Sequence, residues 1–126
     1  MLTVSEAADT LRRAADEQRR AAASADWRSW RLADLLIQRC GDVLLASGPE
    51  GIDALRSLAA RKPAHVKVSA ARFLLWKDER SAKAVLREAR SKSQLTGFMA
   101  DEVLHMWEEG RLPTPTSLAR PRVSRS

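Results

Sequence analysis

Residues 65–86, HVKVSAARFLLWKDERSAKAVL, set small residues, bulky apolar residues and charges side by side. Val66, Ala70, Phe73 and Leu74 recur at three- and four-residue steps, the period of a helix that buries one face. Ala70 and Ala71 are small enough to let a neighbouring helix approach closely. Lys77-Asp78-Glu79 breaks this stripe, and a second one follows in Ala82, Val85, Leu86 and Ala89. The stretch therefore reads as the end of one helical hairpin and the start of another, and nothing in it demands catalysis.

The same pattern recurs on either side. Ala54-Leu55-Arg56 is echoed by Val85-Leu86-Arg87, and Ala70, Phe73 and Leu74 by Ala100, Val103 and Leu104, at spacings of 31 and 30 residues. Residues 49–76 and 78–109 read as two copies of one hairpin, the unit of an α-solenoid. Neither copy can bury its apolar face alone.

The remaining helices follow from local signals. Thr3-Val4-Ser5-Glu6 has capping-box form, and Val4, Ala8, Leu11, Ala15 and Ala22 give the helix behind it an alanine-rich stripe. Asp26 is a good N-cap for residues 27–46, where Trp30, Ala33, Ile37, Cys40 and Leu44, widened by Leu36 and Val43, predict the most apolar and central helix. Gly41 inside it points to a close crossing or a bend. Ser47-Gly48-Pro49 starts a third helix over 50–61, and Lys62-Pro63 ends it. Helices over 65–76, 79–91 and 94–109 complete six, the last carrying Phe98, Ala100, Val103, Leu104 and Trp107 toward the core and ending at Gly110. The expected fold is an all-α, short α-α superhelix of HEAT/ARM-like hairpins over residues 1–112. Residues 113–126, rich in Pro, Ser, Thr and Arg, are expected to form a flexible basic tail.

Composition supports the class. The 126 residues are 44% hydrophobic and 30% charged, contain no tyrosine, and suit one soluble domain. The net charge of +6 is unevenly spread: residues 111–126 hold four arginines and no acid, leaving 18 basic and 16 acidic residues before them. Overall basicity is thus weak evidence for nucleic-acid binding by the body. A single cysteine, Cys40, excludes an internal disulfide and fits a reducing compartment. The N-terminus has acids and arginines where a secretory leader needs an apolar run, and no apolar run reaches membrane-spanning length, so a cytoplasmic location is expected.

In the second half the chain is similar to a small bacterial family of all-helical, HEAT-like proteins whose function is unknown. That family's pattern is Val-x-x-x-Ala-Ala-x-x-Leu-Leu, then Ala-x-x-Val-Leu, then Gly-Phe-x-Ala and Leu-x-x-Trp-x-x-Gly-x-Leu. Val66, Ala70, Ala71, Leu74, Leu75, Val85, Leu86, Gly97, Phe98, Ala100, Leu104, Trp107, Gly110 and Leu112 stand at those positions. Met99 and Val103 depart from it, since smaller or polar residues are expected there. The resemblance implies an α-α superhelix and carries over no catalytic residue.

Each candidate site has a plainer counterpart. Glu102 and His105 have the E-x-x-H spacing of a di-iron ligand pair, but His65 lacks a matching acid and a second motif is missing, so His105 reads as an edge histidine and no metal is expected. Cys40 lies on an apolar stripe, where cysteine acts as a small hydrophobe. No phosphate-binding glycine loop and no Gly-x-Ser-x-Gly is present, and no cofactor or enzymatic activity is expected. Trp27, Arg28, Trp30 and Arg31 combine the residue types that dominate binding surfaces. The plainer reading, Trp30 in the core and Trp27 as its partly buried cover, is the preferred one. Trp76, beside Lys77, joins them as a candidate partner contact. Arg120, Arg122 and Arg125, unbalanced by any acid, are the alternative: a salt-sensitive contact to nucleic acid, or a solubilising extension. The leading expectation is a protein-binding or adaptor module, with nucleic-acid binding as its rival. A homodimer that buries the alanine-rich first helix is a further arrangement.

Overall fold

The computed structural model describes residues 2–92 and 94–118. Six helices make up an all-α stack of hairpins: α1 Val4–Ala23, α2 Trp27–Ala46, α3 Pro49–Ala60, α4 Ala64–Leu74, α5 Glu79–Ala89 and α6 Gln94–Glu108. The expected caps are in place. Thr3 Oγ1 accepts from the Glu6 amide while the Glu6 carboxylate accepts from the Thr3 amide. Asp26 accepts from the Ser29 amide, and Asp78 from that of Ser81, which satisfies donors that a helix start leaves open. Hydrogen bonds from the Ser29 and Ser81 side chains, and then from their amides, hold these two carboxyls below the ordinary aspartate range.

The hairpin repeat is visible in the element bounds, since α3 and α5, and likewise α4 and α6, begin thirty residues apart. Ala59 and Ala89, Ala70 and Ala100, and Leu74 and Leu104 are buried at that same spacing. Glycines open the close approaches at two of the helix junctions. A Cβ on Gly51 would strike the Leu44 carbonyl oxygen, and one on Gly97 would come within 2.6 Å of the Arg90 carbonyl oxygen. The glycines let α3 seat against the end of α2, and α6 against the end of α5.

The centre of the molecule differs from expectation. It is α4, not α2, that touches every other helix, and eight of its eleven residues are buried. His65 on α4 is buried and hydrogen-bonded to Asp16 on α1. Gly41 does mark a close crossing, since its Cα faces the Phe73 ring of α4 with no room for a Cβ. Only one side of α2 reaches the core, through Ala33, Ile37, Cys40, Leu44 and Leu45. Leu36, expected to widen its buried stripe, is exposed along with Leu32 and Leu35. The alanine-rich face of α1 is not a free surface either. Ala7, Ala14, Ala15 and Ala21 are buried, in a helix that packs on α2, α3 and α4.

The chain after α6 also departs from expectation as far as Leu118. Leu112 and Pro115 are buried, and a single 3-10 turn, Thr116–Leu118, lies against α2. The Ser117 amide donates to the Asp42 carboxylate on that helix. Residues 113–118 are thus part of the folded unit. Arg120, Arg122 and Arg125 lie outside the described residues. No helix among the described residues is long and apolar enough to cross a membrane.

Candidate partner-binding cleft

Helices α2 and α6 each rest on α4, and the space between them is a cleft of about 350 Å³. One wall is Trp30, Asp34, Ile37 and Gln38 of α2. The opposite wall is Phe98, Met99, Glu102, Val103 and Met106 of α6, and the floor is Val68, Ser69 and Arg72 of α4. Leu112 and Pro113 close one end, and Gln18 reaches in from α1. The volume lies within the range of ligand pockets, and the lining has their usual form, apolar walls around a few convergent polar groups.

Those polar groups form one network. Asp34 Oδ1 accepts from Arg72 Nη1 at 3.1 Å and from Gln18 Nε2 at 3.1 Å, while Oδ2 accepts from Gln38 Nε2 at 2.8 Å. The side chains of Asp34 and Arg72 are 20% and 14% exposed, so the pair is shielded yet still touches the cleft. The Arg72 guanidinium also lies 5.4 Å over the Phe73 ring, an arrangement favourable for a planar cation. Four side chains from three helices therefore fix the floor and one wall.

Glu102, in the α6 wall, is exposed; Arg28 and Arg31 on α2 are exposed but do not line the cleft, and among the described residues none of the three has an ion-pair partner. Phe98, expected in the core, is 66% exposed on the α6 wall. An aromatic ring held open beside two methionines makes an adaptable apolar surface.

The sequence candidates separate on this geometry. Trp30 is half-buried and lines the cleft. Trp27 is exposed, one turn nearer the start of α2 and on the same side. Trp76 is not with them. It is half-buried and meets Trp107 edge-on, with centroids 4.9 Å apart. Trp107 Nε1 donates to Glu79 Oε2 at 3.0 Å, and Lys83 pairs with the same carboxylate. The pair of indoles thus fastens the turn after α4 to α5 and α6, away from the cleft.

His105 is exposed, with the Asp101 carboxylate 3.9 Å away, and Glu102 faces the cleft. Among the described residues no group of three or more His, Cys, Asp or Glu side chains is placed to hold a metal ion. Cys40 is buried, and desolvation raises its thiol pKa, away from the nucleophilic thiolate.

Sequence reasoning missed Asp34, Arg72, Phe98, Met99 and Met106 as site residues. A signal was present for two of them: Asp34 interrupts the apolar run RLADLLIQ and Arg72 interrupts SAARFLL. Opposite charges inside two buried stripes must be paired or they would not be tolerated. Searches of family profiles, curated proteins and solved structures find no match to this chain.

Proposed function

We propose that the chain is a non-catalytic, HEAT-like binding module of the bacterial cytoplasm that seats an apolar segment of a partner protein between α2 and α6. The observation that carries this is the open apolar wall of α6, with Phe98 exposed beside Met99 and Met106 and facing Trp30. Leaving that surface in water is unfavourable by about 25 cal/mol per Å², and covering it provides a driving force for association. The Asp34–Arg72 network supports orientation rather than chemistry, because a carboxylate saturated by three donors is not free to act as a base. Trp30 lines this surface, and Trp27 extends it toward the start of α2. Trp76 plays no part in it.

The test is photocrosslinking inside cells from a benzophenone side chain at position 98, with exposed Ser57 of α3 as the control position. A defined protein adduct from position 98 that resists nuclease supports the reading, and Phe98→Glu should abolish capture of that protein without lowering the melting temperature. Equal labelling from both positions would refute it.

A second reading rests on α2 alone. Arg28, Arg31 and Arg39 are exposed and have no acidic partner among the described residues, and they recur along one side of the helix. Nucleic acid bound there would be lost steeply with salt, and an adduct from position 31 that nuclease removes would favour it.

A further inference from the structure

On the outer side of the α1/α2 hairpin, Leu32, Leu35 and Leu36 are 61%, 56% and 41% exposed. They stand at i, i+3 and i+4 in the middle of a twenty-residue helix, so they form one continuous apolar ridge. Beside the ridge runs a groove of about 510 Å³ between α1 and α2, floored by Ala14 and Ala33 and walled by Thr10, Arg13, Glu17, Ser29, Leu32 and Leu36. We propose that this face is a homodimer interface, in which α1 packs antiparallel on α1 and α2 on α2 of the second copy, leucine ridge against leucine ridge, so that the two hairpins form a four-helix arrangement.

The occupant is a second copy because the face is complementary to itself. An isologous contact brings the same patch of both copies together, and an apolar ridge crossed by the axis meets its own copy. Such a contact also needs charges that match after a two-fold rotation. The groove wall of α1 carries Arg13 and Glu17, one of each sign, four residues apart and both exposed. A two-fold axis passing at the level of Ala15 sets Arg13 opposite Glu17 of the second copy, and Glu17 opposite its Arg13. Their partners within the chain, Asp9 and Arg20, are exposed i,i+4 and i,i+3 contacts of the kind that contributes little and rearranges readily.

The same axis suits α2. The Gln18–Asp34 hydrogen bond fixes the register of the antiparallel hairpin and places Ala15 level with residues 36 and 37. An axis there sets Leu36 against Leu36 of the second copy. Leu32 then covers the aliphatic stem of the second copy's Arg39, whose guanidinium remains in water. One axis thus satisfies the ridge and the charges together, which an unrelated partner would match only by chance.

Sedimentation equilibrium of the full chain over a range up to high micromolar concentration tests this. The wild type is expected to approach twice the 14.0 kDa chain mass. Leu36→Glu places two carboxylates at the axis and should give a monomer at every concentration with unchanged helicity. Arg13→Glu should weaken dimerisation at least tenfold by opposing like charges, and Arg13→Glu with Glu17→Arg should restore it. If Leu36→Glu fails to fold, the Arg13 single and double variants decide. A wild type that stays monomeric throughout, or a dimer indifferent to both sets of variants, overturns the proposal. The outcome is independent of whether α2 and α6 capture a partner protein, since none is needed.

Discussion

Replacing Asp34 by alanine removes the one carboxylate that ties α1, α2 and α4 together at the cleft floor. Three hydrogen bonds go with it, from Gln18, Gln38 and Arg72, and the Arg72 guanidinium loses its counter-charge while remaining largely shielded. Breaking a buried pair by deleting one partner costs roughly 3–5 kcal/mol. Here both side chains keep some contact with water in the cleft, so the stranded cation is partly solvated and the expected loss is about 2–3 kcal/mol. For a chain of this size, 1 kcal/mol moves the midpoint by about 4 °C, so the melting temperature should fall by roughly 8–12 °C. Urea unfolding followed by circular dichroism gives the free energy directly, and an unchanged m-value shows that the folded and unfolded ensembles keep their compactness. Asp34→Leu combined with Arg72→Met should recover part of the loss, because neither charge is then left unpaired, while the Gln18 and Gln38 amides still lose their acceptor. A change below about 0.5 kcal/mol in Asp34→Ala, the scale of an ordinary surface substitution, would refute the reasoning. So would a double variant no more stable than the two single losses added together.

Other outcomes follow from the same contacts. Gly51→Ala gains about 1 kcal/mol of helix propensity, but its Cβ would strike the Leu44 backbone carbonyl, which cannot move without displacing the end of α2. A net loss of about 2 kcal/mol by chemical denaturation is expected, near the middle of the overpacking range, and a stabilised variant would contradict the seating of α3. Trp76→Ala should cost about 2–3 kcal/mol through lost burial and the lost indole pair with Trp107, whereas Trp27→Ala, exposed at the start of α2, should stay within about 0.5 kcal/mol. Equal effects in thermal unfolding would mean the two were misplaced. The pKa of Glu79 is lowered by Lys83 and then by the Trp107 N–H, so its carboxylate keeps the indole as acid is added through the ordinary glutamate range. Any stability from this contact is present above the unfolded-state pKa and is lost as pH falls through the lower folded value. The Trp107 indole N–H resonance should shift with a midpoint below that of an unpaired glutamate, and a midpoint at or above it would exclude the contact.

What could be read from sequence was whatever depends on neighbours in the chain. Thr3 with Glu6, Asp26 with Ser29 and Asp78 with Ser81 cap helices through residues three apart, and such signals need no tertiary context. The stripes of α4 and α5 were legible because a period of 3.6 with alanines in it has few other uses. The error over α2 is instructive in the same terms. Hydrophobic periodicity shows that a face wants covering, not that the chain itself covers it, and Leu32, Leu35 and Leu36 are as apolar as Ile37 and Leu44. Phe98 was misread for that reason too. The folded segment at 113–118 was hidden because it depends on a contact across 75 residues, the Ser117 amide on Asp42, in a stretch whose composition alone resembles a linker.

The same distinction explains why α2 is the helix on which the functional reading turns. A solenoid helix needs only one apolar face to join its neighbours, and α2 satisfies that need with Ala33, Ile37, Cys40 and Leu44. Its other apolar side chains are therefore surplus to folding. They divide into two groups by position: Trp30 opens onto the cleft toward α6, and Leu32 and Leu36 wall the groove toward α1. Asp34 sits between these groups and is locked by three donors from α1, α2 and α4, so the rotation of α2 about its axis is fixed. Rotating the helix by one residue would carry Leu36 toward the core and Trp30 out of the cleft. Asp34→Ala, by loosening that lock, should then weaken dimerisation, whose surface it does not touch, as well as partner capture at the cleft it lines, whereas Leu36→Glu should affect only the first and Phe98→Glu only the second.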